Sequence, residues 1–182
     1  MGHIERVAII GAGNMGSGIA QKSAQEHFLV EMVDREQQWV ERGESIIAEF
    51  LSEAVERRIF RPHQVEEIQS RISSVVGVEN TSQQTDLVIE AVFEDLEVKA
   101  QVFDLLNENC DDSCIFASNT SSLSIDELAE RSGRPDRFIG LHFFYHPAKN
   151  RLIEVIPGTK TTQDTIDKVI QYCRTLGKVV IV

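Results

Sequence analysis

The sequence is poor in several residue types, and each shortage narrows what the chain can be. It has three cysteines (Cys110, Cys114 and Cys173), an odd number with no C-x-x-C spacing. That excludes a disulfide-built scaffold and reads as reduced, cytosolic thiols, and no metal site is expected. Four prolines and eleven glycines in 182 residues are too few for a collagen-like chain. No apolar run approaches the roughly 20 residues that a membrane-spanning helix needs. Basic residues are also scarce: 18 Lys and Arg face 29 Asp and Glu, a formal net charge of −11. Nucleic-acid binding relies on a basic face, so the charge argues against it, while a small local phosphate site stays compatible. What is present is ordinary globular material, 42 % hydrophobic and 26 % charged. The length suits one domain that buries roughly two-thirds of its unfolded surface or more. The opening MGHIERVAIIGAG enters a strand pattern almost at once. It leaves no room for a signal peptide, and a cytoplasmic protein is expected.

Hydrophobic periodicity then divides the chain. Strands are predicted at Ile4–Ile10, Phe28–Val33, Ile72–Val76, Leu87–Val92, Cys114–Ala117, Phe138–Phe144, Leu152–Ile156 and Lys178–Val182. Helices are predicted from Asn14 to Glu26, from Asp95 to Glu108, from Ser124 to Arg131 and from Thr162 to Gly177. Ser124-Ile-Asp-Glu127 is a capping box. Between the second and third strands, Trp39, Ile46, Ile47, Phe50, Leu51, Ala54, Val55 and Ile59 recur at helical spacing until Pro62, and a short helix follows at His63–Gln69. A helical hairpin is therefore inserted after the second strand. Strands alternating with helices, with nearly all-apolar strand interiors such as VAII and KVVIV, imply a mostly parallel sheet covered on both faces.

VAIIGAGNMGSGIA places Gly11, Gly13 and Gly16 as G-x-G-x-x-G between a strand and a helix. The glycines permit a tight turn, a close backbone approach to a pyrophosphate, and close helix–strand packing. Asn14 and Met15 open the helix, whose free N–H groups favour phosphate. Asp34 ends the next strand 18 residues after Gly16. Its carboxylate would bind ribose hydroxyls and repel a 2′-phosphate, which predicts NAD over NADP, with the neighbouring Arg35 as a moderating charge. The whole is an α/β, Rossmann-type doubly wound fold.

Two strands carry the chemistry-bearing residues. In Phe138-Ile-Gly-Leu-His-Phe-Phe144, His142 shares a face with Gly140 and Phe144; in Leu152-Ile-Glu-Val-Ile156, Glu154 shares one with Leu152 and Ile156. A carboxylate in so apolar a strand needs a partner. Pairing with His142 would fix the imidazole tautomer and make the ring a general base; the pattern alone equally suits a structural ion pair. His146, beside Pro147, reads as a surface residue. Ser118-Asn119-Thr120-Ser121-Ser122 follows a strand end, where ligands bind in such sheets, and would also suit a capped turn. Glu94 and Lys99 read either as an exposed helix-terminal pair or as cofactor-facing groups.

GAGNMGSGIA, EAVFEDLEVKAQVF, ASNTSSLSI and GLHFFYHPAKNRLIEVIPG occur in an order and spacing that resembles the L-3-hydroxyacyl-CoA dehydrogenases along the whole chain. The resemblance implies an NAD-binding domain over residues 1–182, with a helical hairpin at Glu36–Gln69 as in that family. It implies oxidation of a 3-hydroxyacyl-CoA to the 3-ketoacyl-CoA, or the reverse. His142 would be the base, Glu154 its partner, and Ser121 the contact to the substrate oxygen. Gly11, Gly13, Asn14, Met15, Gly16, Asp34, Ala91, Val92, Glu94, Lys99, Asn119 and Ser121 would line the cofactor.

The family pattern HFFNP is replaced here by HFFYH, with Tyr145 and His146 in place of the Asn-Pro pair. Members of the family also continue into a helical domain that completes the site and forms most of a homodimer interface. This chain ends at Val182, so a cofactor-binding half of low activity is expected. Two other readings share the motifs: a dehydrogenase of hydroxy acids without CoA, similar to the gulonate or carnitine dehydrogenases, and a non-catalytic NAD-binding module. Arg57, Arg58 and Arg61 would bear on the choice if they met CoA phosphates, although a solvated helix end suits them as well.

Overall fold

A computed structural model describes residues 3–182. Eight strands form one sheet in the order β3-β2-β1-β4-β5-β6-β7-β8. They are β1 (Arg6–Ile10), β2 (Leu29–Asp34), β3 (Ile72–Val76), β4 (Leu87–Glu90), β5 (Ile115–Ser118), β6 (Phe138–Phe143), β7 (Leu152–Pro157) and β8 (Val179–Ile181). Every neighbouring pair is parallel except β6 and β7. Strand order reverses between β1 and β4, where a doubly wound sheet opens a crevice at its carboxyl edge.

The helices are α1 (Asn14–Gln25), α2 (Gln37–Glu56), α3 (Pro62–Gln69), α4 (Leu96–Asn109), α5 (Ile125–Arg131) and α6 (Gln163–Thr175). Side chains alternate between the two faces of the sheet, so each strand feeds two cores. Val7, Ile9, Met32, Ile89, Ala117, Leu141 and Val155 pack with α1, α2, α3 and α6, while Ala8, Ile10, Val33, Val88 and Phe116 pack with α4 and α5. Both faces are thus covered, as the apolar strands require. The hairpin inserted after the second strand is α2 and α3, with Pro62 at the first position of α3, where its missing N–H costs nothing.

Helix starts follow local chemistry. Asp95 accepts from the Val98 N–H, Ser124 from that of Glu127, and Thr162 from that of Thr165. β1 begins two residues later than its apolar pattern suggests. The Asp86 carboxylate takes the N–H groups of Glu5 and Arg6, each at 2.9 Å, and anchors that entry.

Candidate active site

The glycine turn between β1 and α1 is built by contact. A side chain at Gly16 would stand 1.7 Å from the Gly11 carbonyl oxygen, and one at Gly11 2.7 Å from the Ala91 oxygen, with Gly11 at φ +106°. Only hydrogen fits at either place. Around Gly13 there is nothing within 4 Å of where a Cβ would be. No side chain caps the start of α1. The turn therefore leaves open space beside exposed peptide, bordered by free N–H groups and the positive end of a helix dipole, which fits a pyrophosphate. Asp34 is tied to this turn: its Oδ2 accepts the Ala12 N–H and its Oδ1 the Arg35 N–H, both at 2.8 Å. The Arg35 guanidinium turns to Glu36 at 3.2 Å.

Ala91 and Val92 continue from β4 and pack against Gly11. Beyond them Glu94 is exposed and draws the Ser118–Ser122 loop toward itself. Its Oε1 accepts from Thr120 Oγ1 at 2.5 Å, the Ser121 N–H at 2.9 Å and Ser122 Oγ at 3.1 Å, and Ser121 Oγ lies 3.5 Å away. Burial pushes the Glu94 carboxyl up, but these donors and Lys99 outweigh it and hold it down at about 2. Lys99 does pair with Glu94, at 3.1 Å, but it is not exposed. Its side chain is wholly buried and its ammonium meets Glu90 at 2.7 Å. The alternation that faces Val88 toward α4 faces Glu90 there too, a residue outside the set that the sequence motifs single out. An acid inside LVIEAV carries the same need for a partner as Glu154 does, and that signal was available.

β6 and β7 pair with His142 opposite Glu154. The His142 Nδ1 lies 2.8 Å from Glu154 Oε2, with the imidazole 21 % and the carboxylate 39 % exposed. A carboxylate only accepts, so Nδ1 carries the hydrogen, and in the neutral ring Nε2 then keeps its lone pair. The Asn119 Oδ1 accepts the Phe143 N–H at 2.8 Å, which ties the Ser118–Ser122 loop to the strand beside His142. The site residues thus form three joined groups: the glycine turn with Asp34, Ala91 and Val92; Glu94 with Lys99 and Ser121; and His142 with Glu154, reached through Asn119.

His146 corrects the expectation of a surface residue. It is only 8 % exposed, its ring 4.1 Å from that of Phe50 on α2 and against Gly18 on α1. The hairpin that covers it is distant in sequence, which is why local polarity misplaced it. Burial pushes the imidazole pKa down, assisted by the charges of Lys149 and Lys178. Tyr145, by contrast, is 70 % exposed.

A doubly wound sheet with a dinucleotide turn and a histidine–carboxylate pair beyond the switch point defines a domain of the nicotinamide-dependent dehydrogenase class. The chain belongs to one family in it: residues 6–182 match the model of the 3-hydroxyacyl-CoA dehydrogenase NAD binding domain. It is 36 % identical over 180 residues to the mitochondrial hydroxyacyl-coenzyme A dehydrogenase of Rattus norvegicus, covering 96 % of this chain and 57 % of that protein. It is 38 % identical over 174 residues to the 3-hydroxybutyryl-CoA dehydrogenase of Clostridioides difficile, covering 96 % and 62 %. The crystal structure of (S)-3-hydroxybutyryl-CoA dehydrogenase PaaH1 from Ralstonia eutropha superposes with a TM-score of 0.95 at 35 % identity, covering 98 % of this chain and 62 % of that one. The chain thus spans about three-fifths of the length of these relatives. Among the described residues no helix is long and apolar enough to cross a membrane.

Proposed function

We propose that the chain is the cofactor-binding, histidine-bearing half of an NAD-dependent 3-hydroxyacyl-CoA dehydrogenase, converting a 3-hydroxyacyl-CoA to the 3-ketoacyl-CoA or the reverse. The observation that carries it is the His142–Glu154 pair at 2.8 Å, on strands that lie beyond a dinucleotide turn. The Nε2 lone pair of His142 takes the proton of the substrate hydroxyl, and the Glu154 carboxylate stabilises the imidazolium that results. Ser121 hydrogen-bonds the substrate oxygen. NAD, when bound, supplies the redox chemistry by accepting hydride from C3. The glycine turn with Asn14 and Met15 would hold the pyrophosphate and Asp34 the adenine-side ribose, while Ala91, Val92, Glu94 and Asn119 would shape the remaining wall, with the buried Lys99 behind Glu94 and not at the surface of that wall. The whole enzyme is proposed as cytoplasmic and homodimeric, its dimer and acyl pocket completed by a helical domain. The three free cysteines suit a reducing compartment.

Titration of the chain with NADH and NADPH tests the cofactor half, with tighter NADH binding expected. Acetoacetyl-CoA reduction is expected to be slow with the chain alone and fast when a helical domain is supplied. Absence of NADH binding overturns the dehydrogenase reading. Fast turnover by the chain alone overturns its incompleteness, and reduction of free acetoacetate in preference to the thioester overturns the CoA substrate.

A further inference from the structure

Glu90 ends β4, a strand otherwise made of Leu87, Val88 and Ile89, and it is fully buried. Its two oxygens are saturated. Oε1 accepts from Lys99 Nζ and the Val92 N–H, both at 2.7 Å, and Oε2 accepts from Lys99 Nζ at 2.9 Å and Ser118 Oγ at 2.6 Å. The same ammonium reaches Glu94 Oε2 at 3.1 Å, and the other Glu94 oxygen holds Thr120, Ser121 and Ser122. An unbroken charged chain therefore runs from the interior of the sheet to the hydroxyl-rich loop. It also grips the crevice on its other side, because Val92, whose N–H Glu90 holds, packs against Gly11.

A buried ion pair is a poor way to gain stability. Desolvation offsets its attraction, and apolar replacements of similar volume often do as well. What the pair supplies that an apolar pair would not is a fixed ammonium aimed at Glu94. We propose that Glu90 is a positioning residue for the cofactor: it locks Lys99, Lys99 fixes Glu94, and Glu94 sets the Ser121 turn against bound NAD. The proposal rests on the dehydrogenase reading above and extends it to a residue that touches neither cofactor nor substrate. The two acids divide the ammonium unequally. Burial pushes the Glu90 carboxyl up, against the pull of Lys99, Ser118 and Val92, while Glu94 at the mouth is held low.

The test is NADH affinity of the 182-residue chain by fluorescence titration, with melting temperature followed in parallel. Wild type, Glu90→Gln, Glu94→Gln and the double variant form a cycle. Glu90→Gln is expected to weaken NADH about tenfold, within the coupling range of contacting residues. Added to Glu94→Gln it is expected to cost no more than about twofold further, because its influence passes through Glu94. A Glu90→Gln affinity within about twofold of wild type, or losses that multiply in the double variant, overturns the proposal. A purely structural role would lower the melting temperature and leave the cycle additive. Should Glu90→Gln fail to fold, Ser118→Ala removes one donor to Glu90 and leaves the ion pair intact. It is expected to weaken NADH a few-fold with Glu94 present and not at all in Glu94→Gln; equal effects in both backgrounds overturn the proposal. A wild-type chain with no NADH affinity sinks the dehydrogenase reading itself, whereas wild-type binding with unaffected variants sinks this proposal alone.

Discussion

An imidazole with one nitrogen committed to a carboxylate has a single place to receive a proton, and His142 is in that state, its Nδ1 held by Glu154. In the completed enzyme His142→Gln is expected to lower kcat by about 10²–10⁴-fold while the NADH Kd stays within about twofold, since in the proposed mechanism the ring serves proton transfer and not cofactor binding. Glu154→Gln is expected to lose less, because Gln can still accept from Nδ1 but does not stabilise the imidazolium. Steady-state kinetics beside NADH titration checks both; a kcat unchanged in His142→Gln would favour the non-catalytic reading. The partnership itself was legible in the sequence. Glu154 stands in an apolar strand twelve residues from His142, and two-residue alternation places each on a definite face. Lys99 was less legible. Its charge and its helix position suggest solvent, and only the crossover that lays α4 over β4 shows that it points inward at Glu90.

The glycine turn makes a sharper demand on its elements than any side chain in the site. β1 and α1 meet so closely that a methyl at Gly16 would overlap the Gly11 carbonyl oxygen at 1.7 Å. Gly16→Ala is expected to displace the start of α1, lower the melting temperature and remove measurable NADH binding; calorimetry and titration check it, and native-like NADH affinity would contradict the geometry. The β6–β7 connection depends on a more distant element. Lys178, just before β8, donates to the carbonyls of Pro147 and Asn150. Burial is the main reason its pKa falls from 10.5 to about 8, with Lys22 adding repulsion. Between about pH 8 and about pH 10.4 the unfolded chain binds the extra proton, so stability rises with pH through that window, is fully present above it, and is lost as pH falls through the folded value. Urea denaturation at several pH values is expected to show wild type gaining on Lys178→Met from pH 8 upward, and a pH-independent difference would refute this. The strands, the Ser124 cap and the inserted hairpin could be read from local periodicity and cap residues. That the hairpin buries His146 against Phe50 could not, because the contact joins residues nearly a hundred positions apart.

For the molecule as a whole, the acidic balance works against its own ligands. A chain of net charge −11 must bind NAD, itself an anion, and by the proposed function an acyl-CoA that is more so. By the proposed function the attraction is therefore local, carried by the glycine turn and the positive end of α1, and set within a repulsive field. The ammonium of Lys99 adds little to offset that field, because its side chain is buried and Glu90 and Glu94 enclose it. Salt distinguishes the two ranges. The Debye length falls from about 30 Å at 0.01 M to about 8 Å at 0.15 M, which screens the distant carboxylates but not contacts within the turn. The association rate of NADH, followed by stopped-flow fluorescence, is thus expected to rise as salt is added over that range, with dissociation little changed. A binding surface that relied on exposed basic residues would behave in the opposite way, losing association rate with salt. If NADH association slows, the cationic side chains Arg57, Arg58 and Arg61 at the end of the hairpin become the place to look for steering, and the description of a local, helix-based phosphate site would have to be abandoned.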